Sequence, residues 1–176
     1  MSTENNEFNE ASVKVLLDSS KHEYDSEHNR ITVIDSKTGV SLPIISAYFL
    51  ALANMNDYKS IFNVKINTFF DALCPFIIFI SYTAGLIMAG LAVMMMVKVI
   101  MTRNYSTIKP LDLYDEDYLK NKPIYISTKL ITLYIGATKF NQSQNRYRVN
   151  CYRKGWLFTA ISIAFYVIYI IVKNLL

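Results

Sequence analysis

The chain has 176 residues, 52% of them apolar, and a formal net charge of +4 at neutral pH. This length suits a single domain or two small pieces. Charged residues avoid three long stretches, and this uneven distribution excludes an ordinary soluble domain, because such stretches are long enough to span a bilayer.

The N-terminal region, residues 1–37, is predicted to lie in the cytoplasm and to be helical over 12–37. It contains no Pro or Gly over that length, and its apolar residues recur at mostly helical spacing. The apolar stripe is thin, so this helix is expected to need a partner. A first membrane span is predicted at 38–54. Gly39 would allow a bend at the membrane surface, and Pro43 would sit near the start of the span, where a missing amide donor costs least.

The remaining segments follow from where the charges fall. An outer loop is predicted at 55–71 and a second span at 72–97, a stretch with no Asp, Glu, Lys, Arg or His. A cytoplasmic region follows at 98–154, then a third span at 155–172 and an outer tail at 173–176. The sequence therefore predicts an all-α membrane protein with three transmembrane helices and cytoplasmic helical extensions.

The cytoplasmic region has two parts. Up to Pro123 it is irregular, and from Ser127 onward it has the apolar spacing of one long helix. No Pro occurs between Ser127 and Gly155, so that helix is able to continue directly into the third span. Both cytoplasmic helices would then feed rigidly into membrane helices.

The positive charges set the orientation. Eleven Lys and Arg residues fall within 98–154 and four within 1–37, whereas only Lys59 and Lys65 fall between the first two spans. Basic segments remain on the cytoplasmic side of a membrane. The sequence thus predicts a multi-pass protein of the inner membrane with a cytoplasmic N-terminus and an external C-terminus.

Small residues mark one face of the second span. Ser81, Gly85 and Ala89 recur at four-residue intervals, and Thr83 adds a hydroxyl to the same span. Small residues so spaced allow helix backbones to approach closely in lipid. Either this seam packs helices within one chain, or it forms an oligomer contact or lines a pore.

Basic residues cluster just before the third span at Arg146, Arg148, Arg153 and Lys154. One interpretation is anchoring to anionic lipid. The other is a pocket for an anionic ligand such as a nucleotide, in which Arg forks bind phosphate. In such a pocket, Tyr147 or Tyr152 would stack on the base. Arg30 and Lys37 of the N-terminal helix would complete the pocket.

No catalytic set accompanies these features. Neither His has a nucleophile or carboxylate at a suggestive spacing, and no glycine-rich phosphate loop or metal-ligand spacing occurs. The sequence predicts no enzyme, no cofactor and no metal site.

Two separated patterns carry a family resemblance. Glu27, Arg30, Asp35 and Lys37 precede the first span, and a late helix has a stripe of Tyr134, Ala137, Asn141 and Asn145 followed by Lys154. Over 27–54 and 130–172 the chain resembles the small transmembrane effectors of bacterial anti-phage nucleotide-signalling systems, such as those of Pycsar, CBASS and Hailong operons.

The resemblance implies a function and partners. A nucleotidyltransferase encoded next to the effector would make a cyclic or oligomeric nucleotide on infection. The effector would sense this signal and open or disrupt the inner membrane, so that the cell dies or arrests before phage spreads. Three helices without internal charge cannot enclose a pore alone, so conduction would need a homo-oligomer, with a tetramer preferred.

Two alternatives belong to other classes. A holin-like lysis protein would match the size and the three spans, although the usual holin orientation places the N-terminus outside. A membrane protein that gives immunity to a toxin would match equally well. The neighbouring gene distinguishes the three: a nucleotidyltransferase, lysis enzymes or a toxin.

Overall fold

The protein is described by a computed structural model over residues 10–55, 69–108 and 123–175. Its regular secondary structure within these ranges consists of three α-helices: α1 (Glu10–Ala53), α2 (Phe69–Met101) and α3 (Pro123–Leu175). Each helix is long and apolar enough to cross a membrane. The prediction of an all-α chain with three such helices is confirmed. Most of the predicted outer loop, and residues 109–122 of the predicted cytoplasmic region, lie outside the described residues.

Helix α1 contains the predicted N-terminal helix and continues without a break to Ala53. The expectation that Pro43 falls where a missing amide donor costs least is therefore wrong, because Pro43 lies in the interior of α1. The hydrogen bond lost there is the one to the carbonyl of Gly39, four residues earlier. Gly39 is exposed and has no side chain to crowd the proline ring, and Leu42 and Ile45 hold the same turn by packing against other helices.

Helix α3 is a single helix of 53 residues. It begins at Pro123, four residues before the predicted start, where the missing N–H of proline is harmless and its fixed φ favours a helix. At 1.5 Å per residue the helix is about 80 Å long. A hydrocarbon core of about 30 Å accommodates less than half of that length. Like α1, it has a charged first half and an apolar second half within one continuous helix.

The chain divides into two compact units. Unit 1 comprises Met1–Ile34 with Arg103–Tyr147, and unit 2 comprises Asp35–Thr102 with Arg148–Leu176. In unit 1, the first part of α1 packs beside the first part of α3. Val13, Ile31 and Ile131 are buried there, and the Tyr24 ring meets the Tyr134 ring edge to face, with centroids 5.4 Å apart.

Unit 2 packs all three helices together. Helices α1 and α3 run parallel, since Ser41 contacts Tyr152 and, further along both helices, Tyr48 contacts Ser162. Helix α2 is antiparallel to both within this unit, since Val99 contacts Arg148 and the earlier Gly85 contacts the later Ser162. Two apolar clusters form the core of this unit, one around Ile45, Ala92 and Met96 and the other around Ile78 and Tyr169.

The outer surface of unit 2 is apolar. Its exposed residues include large side chains from every helix, with exposed fractions above one half: Ile44, Leu50, Phe76, Ile80, Ile87, Leu157 and Ile171. A soluble monomer rarely exposes a contiguous apolar surface of this extent. The surface is suited to contact with lipid chains, in keeping with three helices of membrane-spanning composition.

Candidate functional site

A buried ion pair joins the three helices of unit 2. The Arg148 guanidinium on α3 is fully buried and pairs through Nη2 with Asp35 Oδ1 on α1. Its Nε donates a hydrogen bond of 2.8 Å to the carbonyl oxygen of Val99 on α2. One side chain thus binds one atom from each of the other two helices.

The position of Val99 explains why an arginine is required. Val99 lies in the last turn of α2, which ends at Met101, so its carbonyl has no intrahelical donor four residues later. The C-terminus of a helix also carries a partial negative charge. Arg148 supplies the missing donor and a positive charge, while Asp35 neutralises that charge. A lysine has no comparable planar fork to direct at two acceptors.

The two members of the pair differ in exposure. The Arg148 side chain has no exposed surface, whereas 23% of the Asp35 side chain is exposed. Solvent therefore reaches the pair from the carboxylate side. Removing one partner of a buried pair typically costs about 3–5 kcal/mol, because the other charge is left uncompensated. This asymmetry means that losing Asp35 is costlier than losing Arg148, since only Arg148 is cut off from water.

Unit 1 contains a second buried polar contact between α1 and α3. The Asn145 amide nitrogen donates to Glu27 Oε2 at 2.8 Å and to the Glu27 carbonyl oxygen at 3.3 Å. Asn145 is fully buried and Glu27 nearly so. Arg30, whose side chain is half exposed, completes the cluster with a 3.3 Å contact to Glu27 Oε1. The Glu27 carboxylate is thus shared between a buried amide and a surface guanidinium.

A third polar contact holds the chain that leaves α2. The Asn141 amide accepts a 2.9 Å hydrogen bond from the Ser106 backbone N–H and donates a 3.1 Å bond to the Ser106 carbonyl. The carboxamide therefore satisfies both backbone groups of one residue, as a neighbouring β-strand would. Asn141 is almost fully buried, so its amide cannot form hydrogen bonds with water. The bonds to Ser106 take the place of those to water.

Hydrogen bonds between hydroxyl groups join α1 and α3 within unit 2. Ser41 and Tyr152 share a hydrogen bond of 3.1 Å, and Tyr48 and Ser162 share one of 3.2 Å. Ser162 Oγ also donates to the Gly85 carbonyl at 2.7 Å. In a lipid environment, where apolar burial gives no preference for neighbouring helices, such bonds contribute to their association.

The predicted anion pocket is only partly presented to solvent. Five of its members are exposed: Arg30, Lys37, Arg146, Arg153 and Lys154. Arg148 is the exception, and its prediction as a ligand contact is corrected, because its guanidinium is buried and engaged by Asp35 and Val99. Of the two tyrosines considered for base stacking, Tyr147 is exposed and Tyr152 is hydrogen-bonded to Ser41.

The seam of small residues packs helices within one chain. Ser81, Gly85 and Ala89 are buried. A Cβ atom at Gly85 would lie 3.5 Å from both Phe165 Cβ and the Ser162 carbonyl oxygen, which belong to α3 of the same protomer. Gly85 therefore allows α2 to approach α3 within one protomer, as the packing alternative expects. That the seam also forms an oligomer contact or lines a pore stays a prediction.

Thr83 does not belong to that seam. Its hydroxyl donates to the Phe79 carbonyl of the same helix at 2.8 Å, the usual position for a threonine inside a helix.

The sequence singles out Glu27, Asp35, Asn145 and Arg148 but not which of them pair with each other. In the structure, residues more than one hundred positions apart in the chain meet as pairs, Glu27 with Asn145 and Asp35 with Arg148. The available signal was the parallel spacing of polar residues on two helices: Glu27 and Asp35 on one, Asn141, Asn145 and Arg148 on the other. A thin apolar stripe on a helix that packs tightly implies that polar pairs fill the remaining positions.

No titratable cluster in the described part of the chain points to a metal. Within the three described ranges, no three His, Cys, Asp or Glu side chains gather in a way that would hold an ion. Both cysteines are free thiols, Cys74 half buried and Cys151 buried.

Comparisons with protein-family models, with curated proteins and with solved structures give no match to this chain.

Proposed function

We propose that this protein is a membrane effector of bacterial anti-phage defence, which opens or disrupts the inner membrane when a cyclic or oligomeric nucleotide binds its cytoplasmic part. The observation that carries the proposal is the continuity of α1 and α3. Each combines a charged half in unit 1 with an apolar, membrane-compatible half in unit 2. A displacement produced by a ligand on the charged half reaches the apolar half through an unbroken helix.

The polar contacts support this proposal. Three of the residues behind the resemblance make contacts between helices: Glu27 meets Asn145 within unit 1, and Asp35 meets Arg148 within unit 2. Buried polar pairs specify one arrangement of two helices more strictly than apolar packing does, and breaking them requires a defined input of free energy. An effector that kills its host needs a closed state specified in this way.

The ligand would bind exposed cations. Arg30, Lys37, Arg146, Arg153 and Lys154 remain the candidates, because each is exposed on α1 or α3. A phosphate group that receives two or three charge-assisted hydrogen bonds gains roughly 1.5–3 kcal/mol from each. The sum over two or three such bonds is comparable to the roughly 5.5 kcal/mol needed to convert a closed population into an open one.

Conduction would take place in a homo-oligomer, with a tetramer preferred. The interior of unit 2 is filled by its two apolar clusters and its hydroxyl pairs, whereas its outer surface is broad and apolar. That surface is suited both to lipid and to further copies of the chain.

Co-expression with the nucleotidyltransferase encoded by the neighbouring gene tests the proposal. Cells are monitored with a membrane-potential dye and by colony counts, in the presence of active or catalytically inactive nucleotidyltransferase. We expect depolarisation and loss of colonies only when the full chain and the active enzyme are both present.

Other outcomes of this experiment identify the alternatives. Lysis without the nucleotidyltransferase would indicate a holin-like protein, and protection against a neighbouring toxin would indicate an immunity protein. Either result overturns the proposal.

A further inference from the structure

We infer that the Asp35–Arg148–Val99 contact is the latch of the closed state, so that separation of this ion pair is the step that opens the membrane path. This inference rests on the proposed function and names the regulation of the same helices. Its three members come from α1, α3 and the last turn of α2, and one guanidinium holds them together.

The location of the pair suits a latch. Asp35 and Arg148 are the first residues of unit 2 on α1 and on α3. Because both helices are continuous, any relative displacement of their charged halves arrives at this pair before it reaches the apolar clusters. Shifts of about 1–2 Å are typical of helices in switching proteins, and hydrogen bonds weaken steeply once their distance and angle leave a narrow range.

The burial of the pair makes the latch sensitive to charge. Arg148 is fully buried, and in the closed state Asp35 compensates its charge while the Val99 carbonyl accepts a hydrogen bond from its Nε. If the carboxylate loses its charge, the arrangement in which Arg148 is buried becomes unfavourable relative to one in which water reaches it. Neutralising Asp35 should therefore open the protein without any ligand.

The same argument gives opposite results for two kinds of variant. Asp35→Asn keeps the shape of the side chain but leaves a buried cation, so we expect spontaneous opening. Asp35→Leu combined with Arg148→Met removes both charges and replaces them by apolar contact, a change that often leaves folding unaffected or improved. That double variant should remain closed and fail to respond. Opposite effects from one site distinguish a latch from a contact that only stabilises the fold.

The experiment measures potassium efflux without ligand. Full-length variants are reconstituted in vesicles of phosphatidylethanolamine and phosphatidylglycerol, and protease resistance confirms that each is folded. We expect Asp35→Asn to raise basal efflux about tenfold over the wild type, which corresponds to about 1.4 kcal/mol. The double variant should stay at or below the wild-type level. Asp25→Asn is the matched control, because Asp25 lies exposed on the same helix.

Each contrary outcome has a separate meaning. If folded Asp35→Asn leaks no more than Asp25→Asn, the latch is wrong even where the nucleotide signal depolarises wild-type cells. If the wild type fails to depolarise cells under the signal, the proposed function is wrong, whatever the variants do in vesicles. If Asp35→Asn does not fold, the double variant is tested in cells instead. Normal depolarisation under the nucleotide signal by a folded double variant overturns the latch.

Discussion

Gly85 shows how a single missing side chain decides where α2 lies. Two α3 atoms would stand 3.5 Å from a Cβ at this position, an ordinary van der Waals distance, so a methyl group fits and anything larger does not. The close approach also lets Ser162 reach the Gly85 carbonyl. Backbone proximity and the interhelical hydrogen bond are therefore one feature.

We predict that Gly85→Leu destabilises the protomer. The leucine branch would force α2 away from α3 and remove the Ser162 hydrogen bond, at a cost of roughly 1–3 kcal/mol. Thermal unfolding in detergent measures the change. Gly136→Leu is the matched control, since that glycine is exposed and a Cβ atom added there would meet no packed neighbour within 4 Å. Equal unfolding temperatures for the two variants would show that α2 and α3 do not need this approach.

At this scale, the sequence identifies the residues better than their roles. The four-residue spacing of Ser81, Gly85 and Ala89 predicts a packing seam but leaves open whether its partner is the same chain. Periodicity along one helix identifies a face and carries no information about what covers it. The sequence places Arg148 in a surface pocket because charge usually indicates exposure, and only its contact with Asp35 shows why this charge is buried.

Among the elements, α3 has the most direct part in the proposed mechanism. It contains Asn141 and Asn145 in unit 1 and Arg148, Ser162 and the Tyr169 cluster in unit 2. A mechanical link between those contacts requires that the intervening turns remain helical.

We predict that softening α3 abolishes the response to the signal. Val149→Gly with Asn150→Gly places two glycines just beyond Arg148, at about 1 kcal/mol each in a helix interior. Insertion should be normal while depolarisation under the nucleotide signal is lost. The same change at Thr128 and Lys129, in the first two turns of α3, serves as the control. A full response from both variants would show that α3 does not transmit the signal as a rigid element.

The extent of the helices is largely predictable from the sequence. That a proline lies in the interior of a helix is not. The stretch from Ser127 to Gly155 predicts an unbroken helix because it has helical apolar spacing and contains no Pro, and α3 confirms this. The sequence predicts Pro43 near a helix start, since its local preference is for a first turn. Tertiary packing around Ile45 overrides that preference, and a local pattern contains no record of such packing.

For the whole molecule, the direction of the helices constrains the topology. Within unit 2, α1 and α3 run parallel and α2 runs antiparallel, which is the arrangement that three successive crossings of a membrane require. The distribution of positive charge then predicts one of two orientations, the one with the basic segments in the cytoplasm.

We predict that the C-terminal end of α3 faces outward and the charged part of α3 faces the cytoplasm. Asn174→Cys and Asn150→Cys place thiols at two exposed positions near opposite ends of the apolar half of α3. In intact cells, a membrane-impermeant maleimide should label position 174 and leave position 150 unlabelled until the cells are broken. Both native cysteines are replaced by serine in these variants. The reverse labelling pattern would invert the topology and place the basic residues outside, away from any cytoplasmic signal.

The hydrogen bonds between Asn141 and Ser106 determine which amino-acid substitutions these two positions tolerate. The Asn141 amide forms its hydrogen bonds with the backbone N–H and C=O of Ser106, and every residue except proline has both groups. The identity of the side chain at position 106 is therefore free to drift, whereas position 141 accepts almost nothing else, because few side chains present a donor and an acceptor in that geometry. One amide fixes the path of the segment after α2 while leaving its chemistry open to adaptation.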